Sequence, residues 1–125
     1  MNYPQGRLPV IALKKTVIFP GLTQVVRVGR ERSLRALEEA QKNGFWIVAV
    51  QQKTNFDAKN VEPNDLYFTG TLCRIDSMRG TPENGFQVVL RGVARMQLSD
   101  PEIMTGTAGD YLVANSTLLE DVQDL

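Results

Sequence analysis

Cys73 carries the only thiol in a chain of 125 residues that has no histidine. With no second cysteine there is no internal disulfide, and with no histidine there is neither a Ser-His-Asp triad nor the usual zinc ligand set. Cys73 stands in a β-prone run, where a buried, inert thiol is expected rather than a nucleophile. The dipeptide Gly-Lys never occurs, so there is no Walker A phosphate loop, and no glycine-rich stretch follows a strand and opens a helix. Glu38 and Glu39 are adjacent carboxylates, but neighbours on a helix point to different sides and suit solvation better than acid/base catalysis. Asn115-Ser116-Thr117 matches the glycosylation sequon, which has meaning only in a secreted protein. No apolar run approaches the length of a signal-peptide core or a membrane span, so a cytoplasmic protein is expected. The residues thus predict no catalytic group, no metal ligand and no cofactor.

Charge allows one other chemistry. Fourteen basic residues balance fourteen acidic ones, yet up to Asn60 there are ten Lys and Arg against four Asp and Glu, and the remainder reverses that ratio. Arg27, Arg30, Arg32 and Arg35 lie close together and could meet phosphates. Helical spacing spreads them over several sides, however, and Glu31, Glu38 and Glu39 alternate with them, whereas nucleic-acid binding needs a concentrated basic surface.

Any such residues must be positioned by a small set of elements. Length and composition, 42% hydrophobic and 22% charged, fit one folded domain over residues 1–125 with a single core. Leu8 to Leu13 reads as a buried strand, its early proline suiting an edge or first strand. A Pro20-Gly21 turn follows, and Val25, Val26 and Val28 supply a second strand. From Arg30 the apolar period becomes helical, with Leu34, Leu37 and Ala40 on one stripe and Asn43-Gly44 as the stop. Phe45 to Val50 is apolar on both alternating faces, which predicts a central strand covered on each side. Gln51 to Asp65 has no usable period and reads as a long loop containing Phe56. Tyr67 to Met78 and Phe86 to Leu98 form a hairpin with Asn84-Gly85 at the return, with a bulge or bend expected at Gly92. Asp100-Pro101 is expected to end that strand, and Tyr111 to Ala114 begins the last. The order predicts a mainly β, α+β protein, plausibly a small barrel with one helix.

Several blocks carry a family likeness. Leu8-Pro9-Val10-Ile11, Val17-Ile18-Phe19-Pro20 and the run from Val28 to Ala40 resemble the start of the N-terminal domain of Lon ATP-dependent proteases. Trp46 to Lys53, Asp65-Leu66-Tyr67 with Gly70 to Ile75, and Val88 to Arg95 follow in the family order, while Ala12, Lys15, Gln24 and Arg27 depart from its pattern. The resemblance implies a PUA-like six-stranded pseudobarrel with one α-helix. It implies a non-catalytic domain that recruits unfolded or tagged proteins and helps other Lon subunits assemble as a hexamer. The ATPase and Ser-Lys protease modules would lie elsewhere in a longer protease, from which this chain would be a piece.

A substrate-recruiting module of that kind would work by apolar contact, helped by an exposed strand edge. The candidate substrate-binding residues are Phe19, Pro20 and Leu22 in the turn, Phe56 in the long loop and Met78 near the hairpin tip. The alternative is a PUA-like RNA-binding module built on the arginines. No membrane partner is expected.

Overall fold

The computed structural model describes residues 3–14, 16–53, 62–81, 83–106 and 109–119. Phe56 and the rest of 54–61 lie outside the described residues. Six strands, β1 (Gly6–Leu13), β2 (Thr23–Val28), β3 (Trp46–Gln51), β4 (Thr69–Thr81), β5 (Gly85–Thr105) and β6 (Asp110–Leu118), and one helix, α1 (Glu31–Lys42), account for most of them. A short 3-10 turn at Pro63–Asp65 precedes β4.

The strands form one sheet in the order β2-β5-β4-β3-β1-β6, and β6 also pairs with β5. Five strands therefore close into a ring, and β2 hangs on its outside. The device that permits this is the length of β5. Its first half pairs with β2, from Phe86 opposite Val28 to Arg91 opposite Thr23, and its second half pairs with β6, from Met96 to Thr105. A straight strand of 21 residues would run about 70 Å, far beyond the width of a domain this size. It is bent twice. The β4–β5 register shifts where Leu72 faces Ala94 but Cys73 faces Gly92, so the bulge expected at Gly92 is present. A second shift falls between Ser99 and Glu102. Asp100-Pro101 thus bends the strand without ending it, contrary to expectation. Asp100 takes a positive φ of 48° there, and β6 keeps its ladder on both sides.

Of the two placements that suit Pro9, the first strand is the one found, and that strand is not an edge. β1 lies between β3 and β6, and the proline is tolerated because the parallel ladder to β3 starts only at Val10, while Pro9 faces Val113 on β6. β1 and β3 are buried on both faces, as the unbroken apolar runs predict. Ile11, Leu13, Ile47 and Ala49 join one apolar cluster, and Val10, Ala12, Val48 and Val50 join the other. α1 seals the first. Its buried residues Ser33, Ala36, Leu37 and Ala40 fall at helical spacing, with Leu34 only partly buried, so the stripe is rotated slightly from Leu34-Leu37-Ala40. The helix ends in a Schellman arrangement: the Phe45 N–H donates to Ala40 O at 2.8 Å and Gly44 adopts φ 82°. Phe45 follows at φ 68°, outside β3 and exposed, although the sequence places it in the strand.

Candidate functional site

Between β1 and β2 the chain makes a tight corner. The Leu22 N–H donates to Phe19 O at 3.2 Å, with Pro20 and Gly21 in the central positions and Gly21 at φ 90°, the pattern of a type II turn. The corner is riveted to β5 at Gly92, whose N–H donates to Leu22 O at 2.8 Å and whose carbonyl accepts from the Gly21 N–H at 2.9 Å. Only a residue without a side chain allows that approach. Upstream, the Thr71 hydroxyl donates to Ile18 O at 2.6 Å, and the Ile18 side chain is buried. These bonds fix the backbone while leaving side chains outside. Phe19 is 50% and Leu22 56% exposed, and Pro20 is exposed as well.

A groove of about 460 Å³ opens beside this corner, lined by Val17, Ile18, Tyr67, Phe68, Thr69 and Arg95 among others. Val17, Tyr67 and Phe68 are 45%, 48% and 59% exposed. The Lys53 ammonium lies 5.3 Å from the centre of the Phe68 ring. Neither Tyr67 nor Phe68 was singled out from the sequence, which assigns Tyr67 to the start of a strand. The strand begins at Thr69, and the connection ahead of it is pinned by the Gln52–Leu66 bridge and by the Tyr67 N–H donating to Gln51 O at 3.3 Å. The available signal was two adjacent aromatics at the head of a period-2 run: they point to opposite faces, so a one-sided core cannot hold both.

Met78 is not part of this surface. It lies on β4 opposite Val88, packs partly buried against the core and accepts from Gln41 Nε2 at 3.1 Å. Five residues separate it from Cys73, the residue facing Gly92, or about 16 Å along a strand.

A larger cleft, about 940 Å³, runs between the end of β1, β2 and the start of α1, but its rim mixes Lys14, Arg27 and Arg30 with Glu31 and Glu83. The four arginines are each engaged. Arg27 donates to Asn84 O at 3.3 Å, Arg30 to the buried Gln52 Oε1 at 2.8 Å, Arg32 pairs with Glu62 at 3.0 Å, and Arg35 lies 3.1 Å from Glu38 and 3.9 Å from Glu31. Burial lowers the pKa of Arg30. Among the described residues these four arginines are spread over separate partners and do not form a concentrated basic surface with stacking aromatics.

Cys73 is fully buried, and desolvation pushes its thiol up to about 12, outweighing a backbone hydrogen bond from Ala49. It is buried, as expected. Among the described residues no helix is long and apolar enough to cross a membrane.

The fold is a closed β-ring with one helix and a buried thiol, and five of its nine large exposed apolar residues, among those described, lie in or beside one groove. A family model described as the ATP-dependent protease La (LON) substrate-binding domain matches residues 7–124. The chain belongs to that family. It is 32% identical over 121 residues, 97% of the chain, to Lon protease 1 of Bdellovibrio bacteriovorus, and 30% identical over 114 residues, 91% of the chain, to Lon protease 2 of Thermus thermophilus. It spans only 15% and 14% of those proteins. In fold it is similar to the N-terminal domain of a Mycobacterium avium complex Lon protease, with a TM-score of 0.73 at 17% identity over 95% of this chain and 57% of that one. A Lon N-terminal domain protein from Xanthomonas campestris gives 0.64 at 20% identity, over 94% and 62%.

Proposed function

We propose that this domain captures unfolded polypeptide segments on the surface formed by the Phe19–Leu22 turn and the neighbouring groove, and passes them to the ATPase and peptidase parts of a longer Lon-type protease. Contact with other subunits of the same protease is a second part of that role. The observation that supports the reading is the placement of Val17, Phe19, Leu22, Tyr67 and Phe68, all roughly half-exposed, the last four on backbone that hydrogen bonds hold in place. Large apolar side chains held rigidly in water lose little conformational entropy when they bind, and a native substrate hides the side chains they would meet.

The test is binding of a permanently unfolded protein, such as a reduced and carboxymethylated secretory protein, to the isolated chain. The paired substitution Leu22→Ala and Phe68→Ala is expected to weaken binding by about 1 to 2 kcal/mol per residue while leaving the melting temperature nearly unchanged. Unaltered affinity, or equal affinity for the folded form of the same protein, would refute the reading.

A further inference from the structure

Among the described residues that line the groove beside the turn, Arg95 is the one charged group and there is no carboxylate. Arg95 stands on β5 directly opposite Thr71 of β4, and opposed residues share a face of the sheet, so the guanidinium belongs to the same wall as Thr69 and Thr71. The Thr71 hydroxyl already donates to Ile18 O. Arg95 itself is half-buried, and among the described residues no hydrogen bond or ion pair engages its side chain. That distinguishes it from Arg27, Arg30, Arg32 and Arg35, each of which has a protein partner. A second cation, Lys53, stands on the Phe68 ring that lines the same groove.

A largely apolar groove with a planar cation in its wall, a lysine at its aromatic lip and no negative charge among its described lining residues is electrostatically one-sided. A segment bringing aliphatic or aromatic side chains together with a carboxylate fills it with matched contacts, because the guanidinium fork binds a carboxylate through two parallel N–H donors. A lysine or arginine carried into the same space meets only like charge and loses its hydration without compensation. We propose that the groove selects apolar segments of unfolded polypeptide that carry an acidic side chain, and rejects those that carry a basic one, through Arg95. The inference rests on the reading that the groove binds unfolded segments, and adds to it the chemical class of segment.

Three fluorescent peptides of twelve residues separate the possibilities. They share one apolar, unstructured sequence with an amidated C-terminus and differ at two central positions, which are Glu, Gln or Lys. Binding to the whole chain is measured by anisotropy at low and at high salt. The Glu peptide is expected to bind about five- to tenfold more tightly than the Gln peptide at low salt, the Lys peptide more weakly than either, and the differences to shrink at high salt. Arg95→Gln should bring the Glu and Gln peptides to equal affinity, and Arg95→Lys should restore part of the preference. Phe68→Ala should weaken all three together.

Equal affinity of the three peptides for the unaltered chain would overturn the inference and leave apolar capture standing. Persistence of the Glu preference in Arg95→Gln would overturn it as well, by placing the cation elsewhere. A Gln peptide with a free C-terminal carboxylate that outcompetes the amidated Glu peptide would also overturn it, by assigning the guanidinium to chain ends. Failure of every peptide to bind would remove both this inference and the function beneath it.

Discussion

The carbonyl oxygen of Phe19 occupies the space into which a side chain on Gly92 would project. The surface corner and the bend in the longest strand are therefore one structure, built by a single missing Cβ. Gly92→Ala should destabilise the domain by about 2 to 4 kcal/mol, because backbone and not a flexible side chain must yield. It should also weaken capture of unfolded protein by shifting Phe19 and Leu22. Gly29→Ala, where a Cβ would meet nothing within 4 Å, is the control and should stay within about 0.5 kcal/mol. Urea unfolding of both variants checks this, and equal midpoints would disprove the coupling.

Leu37 is fully buried where α1 meets the sheet. Leu37→Ala is expected to cost about 2 to 4 kcal/mol by leaving a cavity. Glu39, which the helical pattern places on the exposed face, does not serve as the contrast: its side chain is only 17% exposed and lies 3.4 Å from Lys42. Glu31, with a side chain 67% exposed, does. Glu31→Ala should cost under about 1 kcal/mol, and calorimetry of the two variants decides the face.

Cys73 gives stability a dependence on alkaline pH. Burial raises its pKa from an ordinary 9.0 to about 12 in the folded protein, so above pH 9 the unfolded chain releases a proton that the folded chain keeps. The unfolded state binds fewer protons there, and stability falls as pH rises through that window. Cys73→Ala should show a shallower fall between pH 9 and 12 than the unaltered chain. In the native protein at pH 8 a thiol reagent should label Cys73 only as fast as the domain opens.

Phe45 holds a left-handed backbone and is 43% exposed. An aromatic residue is poorly suited to that conformation, whereas asparagine tolerates it. Phe45→Asn is expected to raise stability by about 0.5 to 1 kcal/mol, read as a higher urea midpoint. A loss would mean that the exposed ring contributes packing that outweighs the strain.

Much of the architecture was legible because it rests on local rules. Unbroken apolar runs at Val10 to Leu13 and Ile47 to Val50 announced strands buried on both faces, and Asn43-Gly44 announced the helix stop. Gly92 betrayed its bulge by interrupting a period. What failed was governed by distant partners. Asp100-Pro101 looks like a terminator until β6 is found holding both sides of it, and the choice between an edge and the first strand for Pro9 is decided only when β6 is seen to pair there. Of the candidate surface, the turn from Phe19 to Leu22 was legible as a turn, because Pro20-Gly21 carries its own local chemistry. Tyr67, Phe68 and Arg95 come together only through the β4–β5 register and the loop folded over it, and no spacing along the chain encodes that meeting.

The pairing of the first strand with the last imposes an order in time. The Leu118 N–H reaches Gln5 Oε1 at 2.8 Å across a separation of 113 residues, so the ring cannot shut until the end of β6 is available. A ribosome adding roughly 5 to 20 residues per second takes on the order of ten seconds to cover that distance. β1 can meet β3 well before then, but its other edge, Gly6 to Val10, must wait beside an unfilled place in the sheet. During that interval the chain itself presents an unpaired strand, and so belongs to the class of unfolded segment that the proposed capture surface would bind.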